Sequence, residues 1–302
     1  MANWPMPADA GPTPSEIAAL RGCDSEASYY GIGVPVDFQR ARQCAFLERD
    51  PKDSPVLGGP AILMMVYANG QGVPADFNLA LRFACELGGA DFELGGRVLT
   101  LMSARSRNKL DTPLDVCAHV TSGFATGYCV ARQERISAVA RRAREQAAAA
   151  GMPERELAEL RRRSTEFFKT RAEGEVDMSG TMRAALSIAE EAALEDGYVA
   201  SLEKLRDPKF LPQAAEPRQL ESRMAEVMAR IMACKALRNV PEELTGAVTS
   251  AGISKTQRRW LGYREAFVAL AAKVRPDTER TAWRAWVTAA RLEQLEELSG
   301  LC

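Results

Sequence analysis

The chain has little of what catalysis, metal binding or membrane insertion needs. Of its 302 residues only His119 is a histidine, so any nucleophile activated by an imidazole base would depend on that side chain. With Cys117 and Cys129 it offers three metal ligands but no second close pair, which is weak evidence for zinc. The longest apolar run, 61–68, is far shorter than the roughly 20 residues of a membrane-spanning helix. We therefore expect a non-enzymatic protein without cofactor or metal that does not insert into a membrane.

Net charge and the start of the chain restrict the partners and the compartment further. The 39 basic and 40 acidic side chains nearly cancel, so no bulk field draws the protein to nucleic acid. Residues 1–14 hold four prolines and no apolar segment, so they indicate a flexible N-terminus and not a signal peptide. This leaves two interpretations, a cytoplasmic protein or the mature form of an exported one.

The spacing of the cysteines favours the exported form. In two antiparallel helices joined by a turn, residues equidistant from the centre of the turn lie opposite each other. Cys23 and Cys44 stand 11 and 10 residues either side of one turn, and Cys117 and Cys129 stand six residues either side of another. Both pairs are therefore predicted as disulfides, which indicates a periplasmic or other extracytoplasmic protein. In the alternative, a cytoplasmic one, buried free cysteines act as small apolar residues. Three cysteines stay unassigned: Cys85, Cys234 and Cys302.

Two segments 39 residues apart share one pattern, and the rest of the fold prediction follows from them. Residues 31–41 and 70–80 share two glycines, a Val-Pro pair, an aspartate, a phenylalanine and an alanine at equivalent positions. The glycines allow positive φ after one helix, the proline cannot continue that helix, and the aspartate caps the next. A period of this length indicates stacked helical hairpins. Strand-like alternation is not sustained anywhere, so we predict an all-α fold: a short α-solenoid of hairpins followed by a helical bundle domain.

This turn pattern resembles the Sel-one-like repeat, a relative of the tetratricopeptide repeat. The resemblance implies a protein-binding α-solenoid over residues 15–130, and not an enzyme. Apolar residues such as Phe92 in 88–102 indicate the first helix of a degenerate terminal unit, with its partner between 115 and 130. Repeat geometry places the expected partner-binding surface on the concave face, near a set of polar and aromatic side chains: Tyr30, Tyr67, Asn69, Gln71 and Arg82.

The remaining residues divide into a connector and a C-terminal domain. Residues 131–215 are predicted as a helical connector and bundle, because an Ala- and Arg-rich helix there carries few large apolar side chains. A further helix at 181–205 is expected to be capped by Asp177 or Ser179. Residues 216–302 are predicted to form three helices, at 217–237, 254–274 and 278–298, each with apolar side chains recurring on one face.

The C-terminal domain carries a second resemblance. Residues 253–265 read Ile-Ser-Lys-Thr-Gln-Arg-Arg-Trp-Leu-Gly-Tyr-Arg-Glu, similar to the Gln-Arg-x-Trp-Leu-x-Tyr-Arg-Asp signature of the lysozyme-inhibitor LprI-like domain. Thr288, Arg291 and Leu295 match the ending of that family's pattern. The resemblance implies a small helical domain of bacterial exported proteins that inhibits a cell-wall hydrolase. Val268 and Trp283 stand where the family has its cysteines, so here packing must replace that disulfide.

The signature also supplies candidate binding residues. Trp260, Tyr263 and Arg264 lie on overlapping faces of one helix and are of the types enriched at binding hot spots. Their alternative role is structural, with Trp260 in the core and Arg264 paired with an internal carboxylate. The two resemblances together imply an envelope inhibitor, or an immunity protein that neutralises a cell-wall hydrolase or secreted antibacterial toxin. The alternative function is a cytosolic scaffold or adaptor without inhibitory activity.

Overall fold

The computed structural model describes residues 5–7, 10–49, 57–212, 216–241 and 246–302. Every regular element in these ranges is helical, which confirms the predicted all-α class. Parts of the predicted flexible N-terminus (1–4 and 8–9) and of the connector (213–215) lie outside the described residues. The α-helices are α1 (Pro14–Ala19), α2 (Ser25–Tyr30), α3 (Phe38–Leu47), α4 (Gly58–Asn69), α5 (Phe77–Leu87), α6 (Asp91–Arg107), α7 (Gly123–Ala149), α8 (Glu154–Gly174), α9 (Arg183–Arg206), α10 (Pro217–Ala233), α11 (Lys235–Arg238), α12 (Ser250–Val274) and α13 (Arg280–Ser299).

The chain divides into two compact units, residues 1–139 and 140–302. In the first unit each helix from α2 to α5 packs against the helix that follows it, and α6 also packs against a short 3-10 helix, Val116–His119. This neighbour-to-neighbour packing is the hairpin stacking expected from the repeat. In the second unit α12 packs against α8 and α13, α10 packs against α13, and α8 packs against α9. None of the described helices combines the length and apolar content needed to cross a bilayer.

The two repeats have matching backbone geometry. Gly31 and Gly70 end α2 and α4 with positive φ, 71° and 65°. Asp37 and Asp76 each accept a side-chain hydrogen bond from the backbone N–H three residues later and so cap α3 and α5. The N–H of each aspartate in turn donates to the carbonyl nine residues earlier, at 2.9 Å in both repeats. The turn and capping roles predicted from the 39-residue period are therefore confirmed.

Several helix bounds differ from the sequence analysis: α10 ends at Ala233 and is followed by α11, α12 begins at Ser250, and α13 begins at Arg280. The starts of α2 and α9 differ as well. The six-residue α2 was not predicted, because so short a helix shows no apolar period; its N-cap, Asp24, accepts a hydrogen bond from the N–H of Ala27 at 2.8 Å. The predicted cap of α9 was wrong, since this helix starts after Met182 without a side-chain cap. The Asp177 carboxylate instead accepts hydrogen bonds from the N–H and hydroxyl of Ser179 and closes a local turn.

The core of the first unit is organised around α4, in which every residue from 58 to 68 is buried. Its first turn lies directly against α3: a Cβ on Gly59 would meet the carbonyl oxygen of Ala45 at 2.0 Å. A glycine is therefore required at this contact. Aromatic rings fill the space towards α5, where Phe46 and Phe83 meet edge to face with centroids 6.0 Å apart.

The second unit has one core to which both predicted C-terminal ranges contribute. Phe167 and Tyr198 come from the range 131–215, and Trp260, Phe267 and Trp283 come from 216–302. Phe267 and Trp283 occupy the middle, with ring centroids 6.0 Å apart. The Trp283 indole is fully buried in this core.

Three cysteine pairs lie at disulfide distance. The two predicted pairs have Cα–Cα distances of 6.0 and 5.9 Å, and a third, unpredicted pair has 5.6 Å. The third pair joins residues 68 positions apart, at the end of α10 and at the end of the chain, where no single turn relates them. The pairs are Cys23–Cys44, Cys117–Cys129 and Cys234–Cys302, and Cys85 is left as the one free thiol.

Candidate functional site

Two of the residues predicted on the concave surface are tied into an internal polar network. The Asn69 amide pairs with the backbone of Leu114, donating to its carbonyl at 2.9 Å and accepting from its N–H at 2.7 Å. The Gln71 side-chain oxygen accepts a hydrogen bond from the Tyr29 hydroxyl at 2.5 Å. The two Asn69 bonds satisfy the backbone of Leu114, in a segment without regular structure. Asn69 thus holds the chain after α6 against the repeats, and Gln71 joins the second repeat to Tyr29 of the first.

Tyr30 belongs to a neighbouring network. Its hydroxyl donates to a carboxylate oxygen of Asp115 at 2.7 Å and accepts from the Arg132 guanidinium at 2.7 Å. Arg132 also lies over the Tyr30 ring, 4.3 Å from its centroid, and donates to Asp115 at 2.9 Å. Burial, together with the Asp115 charge, raises the pKa of Tyr30, so its hydroxyl remains a donor. This network attaches the start of α7 to the first repeat.

The other two predicted concave residues differ in exposure. Tyr67 lies in the core and stacks on Phe83, with ring centroids 5.7 Å apart. Its place in the proposed binding surface is therefore corrected: α4 is covered on all sides, which leaves the Tyr67 ring inside. Arg82 is partly exposed on α5. The five residues do not form one exposed patch.

The signature residues of α12 are also largely buried. Trp260 lies in the core, and the Tyr263 ring stacks on Phe167 with centroids 5.5 Å apart. Burial raises the pKa of Tyr263 to about 12. The Arg264 guanidinium lies 5.0 Å from the Trp260 ring and pairs with surface carboxylates, Glu265 at 2.9 Å and Glu221 at 3.6 Å. The core position of Trp260 matches the structural role given above as the alternative to binding, whereas the partners of Arg264 are exposed carboxylates and not the internal one expected there.

Arg291, one of the residues that match the ending of the LprI-like pattern, has a buried partner that the sequence analysis missed. Its guanidinium is fully buried and forms two hydrogen bonds with Glu175, at 2.8 and 2.5 Å. Its Nε also donates to Gln257, a residue of the first signature, at 3.0 Å. Glu175 follows α8 and lies outside the range that the resemblance covers. Sequence offered no signal for this pair, whose members are 116 residues apart.

The His119 ring lies against α6 in this fold. Its Nε2 lies 3.2 Å from the Thr100 hydroxyl on α6, and burial followed by the Arg97 charge lowers its pKa. The neighbouring Cys117 and Cys129 are paired with each other. Elsewhere in the described residues, one group has metal-type ligands within 4.8 Å of one another: Cys23, Cys44 and Glu48. Both of its sulfur atoms belong to a disulfide pair, which leaves Glu48 as its single ligand.

An exposed apolar face on α6 is the surface feature that sequence reasoning did not identify. Phe92, Leu99 and Met102 are 85%, 69% and 47% exposed, and their spacing of seven and three residues places them on one side of the helix. Phe92 was expected to pack as part of a terminal hairpin. Between them lies Gly95, where an added Cβ would meet no atom within 4 Å. The opposite side of α6 supplies Leu101 to the core.

Phe124, near the start of α7, is also exposed, by 71%. Glu93 fixes the position of α7, because its carboxylate accepts hydrogen bonds from the N–H groups of Thr121 and Ser122 at 2.8 and 2.7 Å. Burial alone raises the pKa of Glu93, but these N–H donors outweigh it and hold the pKa at about 2. Together we call Phe92, Leu99, Met102 and Phe124 the α6 apolar face.

The α6 apolar face has the position and chemistry of a docking surface. In a stack of helical hairpins the last unit leaves one side uncovered, and that side is normally polar. Here it carries two aromatic and two large aliphatic side chains, which in exposed clusters mark interaction sites. Comparison with family models, curated proteins and solved structures finds no match to this chain.

Proposed function

We propose that this chain is a non-enzymatic bacterial protein that binds and neutralises another protein, namely a cell-wall hydrolase or a secreted antibacterial toxin. The observation that carries the proposal is the α6 apolar face. Phe92 and Leu99 are large, exposed and on the same side of α6. A partner that covers them would remove apolar surface from water. Gly95 between them gives a partner helix room to approach the α6 backbone.

The compartment and the class of partner rest on separate support. Three cysteine pairs at disulfide distance favour an oxidising, extracytoplasmic environment, such as the periplasm. The resemblance of residues 253–265 to the LprI-like signature favours a hydrolase of the cell wall as the partner. The resemblance of the repeats to the Sel-one-like pattern favours an immunity function. A cytosolic scaffold with no inhibitory activity is the competing proposal.

The proposal is tested by capture followed by an activity assay. Wild-type protein is used as bait in an envelope extract of the native host, and stoichiometric partners are identified by mass spectrometry. We expect a hydrolase or toxin at about equal molar amount, whose activity falls when the bait protein is added. The double variant Phe92→Ser/Leu99→Ser should lose most of this capture. Leu211→Ser, which changes a 63% exposed leucine of the second unit, is the matched control and should retain it.

Two results would contradict the proposal. In one, the captured partner keeps full activity in the presence of excess bait, which excludes inhibition. In the other, only cytosolic assembly or signalling proteins are captured, which supports the scaffold. Circular dichroism of both variants shows whether the fold is kept, and because all three substitutions lie at exposed positions we expect unchanged helix content.

A further inference from the structure

The second unit contains a cavity of about 300 Å³ among α8, α9, α12 and α13. Its volume lies at the lower end of the range for small-molecule sites, roughly 300–1,000 Å³. Most of its wall is apolar, and the rings of Phe168, Tyr198, Tyr263 and Trp286 contribute to it. Rings of this kind bind flat or elongated apolar groups by dispersion and by release of water.

An exposed glycine in the interior of a helix lies at the edge of this cavity. Gly197 lines the cavity in the middle of the 24-residue α9, where glycine is less favourable than alanine. No neighbour requires it there: its φ is not positive, and an added Cβ would meet no atom within 4 Å. Ala193 and Ala290 also line the cavity with small side chains. All three residues are exposed, so they form the solvent-facing rim of the cavity and leave its aromatic wall accessible.

The polar groups of the wall indicate the charge of a ligand. Lys204 is exposed, and its ammonium lies 5.3 Å from the Trp286 centroid, with no carboxylate within 4.0 Å among the described residues. The other charged side chain of the wall is Arg291, and none of the lining residues is acidic. The buried hydroxyl of Tyr198 has no hydrogen-bond partner in the described part of the chain. Arg291 is paired with Glu175, which leaves the exposed Lys204 ammonium as the cation that can attract an anionic group of a ligand whose apolar body lies on the aromatic walls.

We propose that this cavity binds a small amphiphile, with its apolar body among the aromatic rings and a carboxylate at Lys204. The proposal does not rest on the α6 apolar face, which belongs to the other unit. It gives this helical bundle a ligand site of its own.

The test uses the full chain and straight-chain carboxylates from hexanoate to dodecanoate. Binding is measured by isothermal titration calorimetry, and tryptophan fluorescence provides a second signal because Trp286 lines the cavity. We expect 1:1 binding with an optimum at one chain length. Gly197→Leu should fill the space and weaken binding by at least about tenfold, while its melting temperature stays unchanged or rises. Lys204→Gln should weaken binding of the carboxylate by about tenfold and leave binding of the alcohol of equal length unchanged.

Absence of binding across the whole carboxylate series would overturn the proposal. Equal affinity of the wild type and Gly197→Leu would also overturn it, because the ligand would then sit elsewhere. If Gly197→Leu loses helix content by circular dichroism, Ala290→Leu on the facing helix makes the same test. An unchanged carboxylate affinity in Lys204→Gln would contradict the assigned position of the charge.

Discussion

At the scale of single residues, the molecule depends on a few buried charges with specific partners. Arg291 is the clearest case, because its guanidinium and the Glu175 carboxylate are both almost fully buried and form two direct hydrogen bonds. A buried ion pair is strongly coupled: removal of one partner leaves the other charge without compensation in a medium of low polarity. The pair joins the end of α8 to α13, so its loss affects the centre of the second unit.

Glu175→Gln should therefore destabilise the second unit by about 3 kcal/mol, since Arg291 keeps its charge and loses the carboxylate. Urea unfolding followed by tryptophan fluorescence reports on this unit, which contains Trp260, Trp283 and Trp286. Glu293→Gln, at an exposed position of α13, is the matched control and should change the free energy of unfolding by less than about 0.5 kcal/mol. Equal effects of the two substitutions would show that the buried pair is not important for stability.

Glu93 makes a pH-dependent contribution to the first unit. Its pKa in the folded state is about 2, below the ordinary value of 4.5, because backbone N–H groups bind the charged carboxylate. The resulting stabilisation is fully present above about pH 4.5 and is lost as the pH falls towards 2. Glu93→Gln should thus be less stable than the wild type at pH 7, with a difference that shrinks between pH 4.5 and 2. Thermal unfolding of the wild type and the variant across this pH range measures the difference and its pH dependence. The control Asp91→Asn, an exposed change in the same helical turn, should show no such trend.

At the scale of helices and turns, the repeat places equivalent glycines in different surroundings. Gly33 and Gly72 are 39 residues apart and both have a φ of 72°. A Cβ on Gly33 would meet nothing within 4 Å, whereas one on Gly72 would approach the backbone N of Gln39 and the Cβ of Phe38 at 3.1 Å. The second turn thus packs against the preceding repeat, and the first has no repeat before it.

Gly33→Ala should cost about 1 kcal/mol, the strain of a side chain in the left-handed region. Gly72→Ala should cost about 1–2 kcal/mol more, because the preceding repeat must also move to accept the new methyl group. The comparison is made by thermal unfolding, followed by circular dichroism, of the two single variants. Equal destabilisation would mean that the close approach between repeats has no energetic consequence.

The turns, helices and ion pairs described above differ in how well they can be predicted from the sequence. The turns and caps of Gly31–Asp37 and Gly70–Asp76 were predictable, because glycine, proline and aspartate act on their own backbone. The exposed side of α6 was not, since an apolar side chain such as Phe92 has the same local signal whether a neighbour covers it or not. The Glu175–Arg291 pair was missed for a related reason: which carboxylate meets a buried arginine depends on tertiary packing.

At the scale of the whole molecule, the cysteine pairs link local helices to long-range structure. Two pairs close single turns, and Cys234–Cys302 closes a segment with a sequence separation of 68 residues. In the chain-entropy model a cross-link of this span stabilises the fold by about 4 kcal/mol. If all three pairs are oxidised, Cys85 is the single thiol of the chain.

Quantification of thiols in denatured, unreduced protein purified from the native host should therefore give one thiol per chain. After reduction the number should rise to seven, the total of cysteines. Seven thiols before reduction would contradict the oxidising compartment and would favour the cytosolic scaffold instead.

The most direct test of the account is whether a partner touches the α6 apolar face in the native host. Leu99 is replaced by the photoreactive p-benzoylphenylalanine, and the same replacement at Leu211, 63% exposed in the second unit, is the control. After irradiation we predict one cross-linked species of defined mass from position 99, containing a cell-wall hydrolase or secreted toxin, and none of it from position 211. If position 99 gives no cross-link, or the two positions give the same products, the α6 apolar face is not the site of partner binding.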